Sequence, residues 1–126
     1  MAFVVDEQGN ITLIQGDSGQ LTVSGIPTDK NYNVYLAIQD KSRNTIGTEL
    51  VVSSGNASAV IFGFTPDLTN LLTVNNNEES RDYYYGIKVC DTSTNFEDTL
   101  LIGDSDIGDV NTITVYPKKV EGTINA

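Results

Sequence analysis

Asp82-Tyr83-Tyr84-Tyr85-Gly86-Ile87-Lys88-Val89-Cys90 is the stretch that decides the fold class. In an extended chain Tyr83, Tyr85, Ile87 and Val89 fall on one face and Tyr84, Gly86 and Lys88 on the other, which is the period of a half-buried strand. Downstream, Phe96 to Ile102 reads as its hairpin partner, and Asn111 to Tyr116 as a last strand that stops at Pro117. Upstream, Tyr32 to Gln39 alternates in the same way, with Val34, Leu36 and Ile38 on one side. Asp40 to Asn44 is a polar loop, so Thr45 to Ser53 is expected to pair back antiparallel. Ala57 to Phe64 follows with Val60, Phe62 and Phe64 inward. Nearer the start, Ile11 to Gln15 and Gln20 to Ser24 read as a first pair around the turn Gly16-Asp17-Ser18-Gly19, with Leu13, Leu21 and Val23 as core positions.

One segment departs from the β period. Thr65 stands at an N-cap, Pro66 at the first helical position and Asp67 in the first turn, with Leu68, Leu71 and Leu72 at i, i+3 and i+4. It predicts a short helical turn near 66–73 that covers one end of the sheets. Short strands at roughly ten-residue spacing, divided by Gly, Asn and Asp, indicate an antiparallel β-sandwich or barrel. Hairpins mixed with two longer crossovers favour the sandwich. The 126 residues fit a single domain, 1–126, with short arms at about 1–10 and 118–126.

Composition narrows the function classes. Seventeen acidic side chains against seven basic ones leave a formal charge of −10, which repels phosphate backbones and anionic lipid. Neither nucleic acid nor membrane is an expected partner, and no apolar run approaches the roughly 20 residues of a spanning helix. The first residues lack the basic and apolar regions of a secretory signal, so synthesis in a cytosol is expected. The chain has no histidine and one cysteine. Imidazole-dependent hydrolase mechanisms, disulfide frameworks and cysteine-rich metal sites are thereby excluded. No enzymatic activity and no cofactor is expected.

Five features remain to be weighed. Gly16-Asp17-Ser18-Gly19 spells the GDSG of chymotrypsin-like proteases, but without a histidine to deprotonate the serine it reads as a β-turn. Asp104, Asp106 and Asp109, with Gly108, lie in a stretch free of basic residues from Lys88 to Lys118. Alternating carboxylates resemble a calcium loop, though the glycine is early and Val115 stands where the bidentate Glu belongs. The reading is a solvated turn, with a weak calcium site as the alternative. In Tyr83-Tyr84-Tyr85, two rings belong to the core and Tyr84 alone is exposed, a candidate contact for a partner or a sugar. Cys90 is an ordinary half-buried thiol, and Glu97 and Asp98 point to opposite faces of a strand, unlike a glycosidase pair.

Taken in order, Ile14-Gln15-Gly16-Asp17-Ser18-Gly19 before Leu21-Thr22-Val23, the strand Val34-Tyr35-Leu36-Ala37-Ile38-Gln39-Asp40, Phe64-Thr65-Pro66-Asp67-Leu68-Thr69, Tyr83-Tyr84-Tyr85-Gly86-Ile87-Lys88-Val89, Asp98-Thr99-Leu100 and Ile113-Thr114-Val115 resemble a family of small phage virion domains. These are the N-terminal β-sandwich modules of baseplate and fibre-adaptor proteins. The resemblance implies an immunoglobulin-like sandwich that acts without catalytic residues as a virion structural protein, at a tail, baseplate or head-fibre attachment. It implies other virion proteins as partners, a multimeric assembly, and a location in the virion after synthesis in the bacterial host cytoplasm. No fibre shaft follows the domain within these residues, which favours an adaptor, a decoration or a plug. Phe3, Val4, Val5, Tyr84, Lys118 and Lys119 are the candidate partner contacts, with Phe3 to Val5 read as an edge strand completed on assembly. A carbohydrate- or calcium-dependent binding module is the alternative.

Overall fold

The computed structural model describes residues 3–75, 77–91, 93–94, 96–100 and 111–117. In chain order the elements are β1 (Val4–Val5), β2 (Ile11–Ile14), β3 (Gly19–Ser24), β4 (Asn33–Gln39), β5 (Leu50–Ser53), β6 (Ala59–Phe64), α1 (Pro66–Thr69), β7 (Arg81–Asp91), β8 (Phe96–Leu100) and β9 (Asn111–Tyr116). Among the described residues the protein is all-β apart from one helical turn.

A large sheet runs β1-β2-β9-β7-β4-β5, and β3 and β6 form a second, two-stranded sheet. The alternating strands explain this division. Val34, Leu36 and Ile38 of β4, Tyr83, Tyr85, Ile87 and Val89 of β7, and Ile113 and Val115 of β9 are buried. They meet Leu21 and Val23 of β3 and Val60, Phe62 and Phe64 of β6 in one core. Each side chain of this size contributes about 1.5–3 kcal/mol when removed from water, so the long alternating strands hold the fold.

Pairing differs from the sequence reading in two places. The first pair does not form: β2 joins the large sheet while β3 pairs antiparallel with β6, Leu21 opposite Phe62. Both β2 and β3 bury their apolar face, and crossing between sheets lets them do so from opposite sides of one core. Nor is the pairing antiparallel throughout, because β2 runs parallel to β9, Ile11 opposite Ile113 and Leu13 opposite Val115. No hairpin joins two strands so far apart in sequence, so strand direction is set by packing rather than by a turn.

Of the expected return strand 45–53, only Leu50–Ser53 is regular, opposite β4 with Leu36 facing Leu50. Thr45 adds an isolated bridge to Gln39. β6 begins at Ala59 rather than Ala57. The helical turn is capped as expected, the Thr65 hydroxyl accepting from the Leu68 N–H at 3.3 Å. Leu68 and Leu72 are buried, but Leu71 is exposed. The helix ends at Thr69, so its three-leucine stripe is not continued.

β7 is the spine. β4 occupies one side of it from Tyr84 to Cys90, so β9, opposite Arg81–Tyr85, and β8, opposite Ile87–Asp91, share the other. Leu100 and Asn111 therefore reach β7 on either side of Gly86. The connecting residues 101–110, with Asp104, Asp106 and Asp109, lie outside the described residues. So do Lys118 and Lys119.

Candidate interaction surfaces

Two surfaces carry the described partner candidates. At the N-terminal edge, β1 pairs with β2 through two residues, Val4 opposite Thr12 and Val5 opposite Ile11. Both valines are exposed, Val4 by 53% and Val5 by 39%. Phe3 is different: it is partly buried against the core, its ring meeting Phe64 edge-on with centroids 5.2 Å apart. The ring lies over Gly19, where any Cβ would overlap it. Gly19 is thus a close-approach glycine, and it makes a slot for Phe3.

The turn after β1 is fastened to the body. The Asp6 carboxylate accepts from the backbone N–H of Gln8 at 2.9 Å and of Asn10 at 2.8 Å. Asn111 donates its side-chain amide to the Gln8 carbonyl at 2.8 Å, and the Thr112 N–H donates to Asn10 Oδ1 at 3.0 Å. The buried Tyr85 hydroxyl donates to the Gly9 carbonyl. Burial, with the nearby Asp6 charge, pushes the Tyr85 phenol well above its ordinary value, so it stays a donor.

The second surface is the outer face of β4 and β7. Register places Tyr84 beside Gln39, Gly86 beside Ala37 and Lys88 beside Tyr35. Tyr35 and Tyr84 are both partly exposed and flank a floor of small residues, with open space above Gly86. Val51, opposite Tyr35 and 55% exposed, extends this face to the sheet edge. Sequence reasoning singled out Tyr84 but missed Tyr35, although the latter's outward position in β4 follows from the same alternation.

At the far end of β7 lies the most organised charge. Lys30 Nζ is 2.6 Å from Asp91 Oδ2, and the Asp91 side chain is only 5% exposed. Ser93 and Thr94 donate their hydroxyls to the same carboxylate at 2.8 and 2.6 Å. The Lys30 ammonium, helped by these hydroxyls, holds the Asp91 carboxyl well below the usual carboxylate range, and the pair raises the Lys30 pKa. These contacts are internal, and the ion pair ties the loop before β4 to the end of β7.

Gly16-Asp17-Ser18-Gly19 is a turn between the two sheets: the Asp17 N–H donates to the Ile14 carbonyl at 3.0 Å and Gly16 has φ +87°. Thr69 donates its hydroxyl to the Asp17 carbonyl at 2.9 Å, which docks α1 on that turn. Cys90 faces Glu97, and burial followed by this carboxylate pushes its thiol up, away from the reactive thiolate. Among the described residues no group of three or more His, Cys, Asp or Glu side chains is placed to hold a metal ion. No helix among them is long and apolar enough to cross a membrane.

No family model matches the chain, and no curated protein matches it. Among solved structures it is similar to the periplasmic chaperone SfaE, with a TM-score of 0.58 at 9% sequence identity. The match covers 89% of this chain and 55% of the chaperone chain, so the chain spans about half the length of the structure it resembles. At that identity the likeness concerns the fold alone.

Proposed function

We propose that the chain is an immunoglobulin-like β-sandwich that serves as a structural component of a bacteriophage particle, at a tail, baseplate or head-fibre attachment, without enzymatic activity. The fold part draws on a core shared by two sheets, on the likeness to SfaE, and on Tyr83. Near the start of β7, the Tyr83 hydroxyl donates to the Thr73 carbonyl at 2.7 Å, resembling the tyrosine corner of such sandwiches. The functional part draws on the ordered resemblance along the sequence to phage virion domains.

The observation that carries an assembly role is the N-terminal edge. A two-residue β1 with exposed valines leaves its outer backbone groups available to another strand, and unpaired edges of this kind accept partners. Partners are other virion proteins, with copies arranged around a symmetry axis. The test is to purify particles from a host lysate containing this protein and probe them by mass spectrometry and labelled antibody. A fixed copy number per particle is expected; a free monomer absent from every particle overturns the reading.

A second reading has its own observation. Tyr35 and Tyr84, flanking the open floor at Ala37 and Gly86, form the type of aromatic saddle on which sugar rings stack. Calorimetric titration with a glycan panel, with and without calcium, separates the two. Heat that disappears in Tyr84→Ala supports a carbohydrate-binding module; no heat removes that reading.

A further inference from the structure

We propose that Phe3–Val5 is an exchangeable strap: it leaves its own β2 and seats in the Gly19 slot of a second copy of this chain, which returns its own strap in the same way. The contact particularises the assembly reading above. Its test needs only purified protein, so its outcome is independent of whether the chain is found in a particle.

The strap and its root are held very differently. Gln8, Gly9 and Asn10 are each tied to the body by side chains of β7 or β9, or by the β9 backbone. Beyond them, Phe3–Val5 is held by a two-residue pairing and one ring. Both valines are exposed, so peeling the strap away sacrifices little apolar burial apart from Phe3. Asp6 is itself closed into the turn, its N–H donating to the Asn10 carbonyl and its carbonyl accepting from the Gly9 N–H, so the pivot is the junction between Val5 and Asp6.

What remains after peeling is a free β2 edge beside a slot fitted to one aromatic ring. The slot exists because Gly19 lacks a Cβ, and the segment that fills it belongs to this same sequence. A second copy therefore carries both halves of the match, which argues for it over an unrelated strand. The exchange is reciprocal and closes on a two-fold axis. Closed monomer and exchanged pair make the same strap contacts, so local concentration sets the balance. The tethered strap acts at an effective concentration in the millimolar range, and copies held side by side in an assembly approach that range. Each copy carries a charge of −10, so salt favours the exchanged form by screening their repulsion.

Facing cysteines report the exchange. Val4 and Thr12 stand opposite each other, at the spacing antiparallel neighbours adopt and disulfides require. A Val4→Cys chain is mixed with a Thr12→Cys chain, both in a Cys90→Ser background, and oxidised with diamide. Each interchain disulfide formed removes two protons and two electrons from the thiols, and diamide takes both. The expected result is a mixed dimer on a non-reducing gel. Its yield rises severalfold with added salt, and again when the Thr12→Cys chain also carries Phe3→Ala, which empties its slot. Yield falls about tenfold when that chain instead carries Gly19→Ala, which closes the slot. Circular dichroism checks that each chain is folded; if the Gly19→Ala chain is not, Phe3→Ala in the donating chain replaces it and is expected to lower the yield equally. A yield no greater than that of Val4→Cys with Ser24→Cys, or one indifferent to these slot and ring substitutions, overturns the proposal.

Discussion

β7 and β1 belong to one sheet and both carry valine, yet one is the spine of the molecule and the other a two-residue edge. β7 alternates over eleven residues, has β4 on one side, and shares its other side between β8 and β9. β1 has two valines, one neighbour and no buried face of its own. Valine favours a strand in both places, but what decides stability is how many side chains the second sheet covers. An apolar run without an opposing layer makes an edge, and edges make contacts with other chains.

Substitutions along the two strands sharpen this contrast. The largest effect is expected from Ile87→Ala, which opens a cavity at a 1% exposed site in the middle of β7. It is expected to lower unfolding stability by about 2–5 kcal/mol in urea titration; a loss no larger than that of an edge substitution breaks the contrast. Next comes Asp91→Asn at the end of the same strand. Because the folded carboxyl titrates below its unfolded value, its stabilisation is present above about pH 4 and is lost as pH falls below that. The raised Lys30 pKa acts in the opposite direction, with stabilisation present below about pH 10.4 and lost as pH rises beyond it. Melting temperature followed from pH 7 downward should therefore decline less steeply in the Asn variant, from a lower starting point; parallel curves count against the pair.

Smaller still is Tyr83→Phe, which removes the hydroxyl that donates to the Thr73 carbonyl. A loss of about 0.5–1.5 kcal/mol is expected by chemical denaturation, and none at all removes that hydrogen bond from the account of the crossover. The smallest effect belongs to Val4→Ala, expected within about 0.5 kcal/mol of the native chain. A loss approaching that of Ile87→Ala shows β1 to be part of the core and not an edge.

Much of the fold was legible in the residues. Val34, Leu36, Ile38, Val60, Phe62, Phe64 and the inward side of β7 were all placed by alternation and are all buried, because burial follows side-chain period directly. Thr65 and Pro66 marked the helical turn for an equally local reason. Leu71 was misplaced because helical spacing says nothing about where the helix stops. The supposed hairpin of β2 and β3 failed for a related reason, since a tight turn returns a chain without specifying which sheet receives it. Of the candidate contacts, Val4, Val5 and Tyr84 were recognisable from isolation or alternation. Alternation sets Tyr35 on the outward face of its strand without marking it as a contact, and the placing of Phe3 against Gly19 and Phe64 had no signal, since those residues are distant along the chain.

Local pattern thus establishes the all-β class, the inward residues, the capped turn and the absence of imidazole chemistry, because each depends on near neighbours or on composition. Long-range packing selects the parallel union of β2 with β9, the meeting of β8 and β9 along β7, and the glycine slot that receives Phe3. Backbone N–H and C=O groups are alike at every position, so they permit many pairings. The choice among them falls to side chains that meet only when both sheets close on one core.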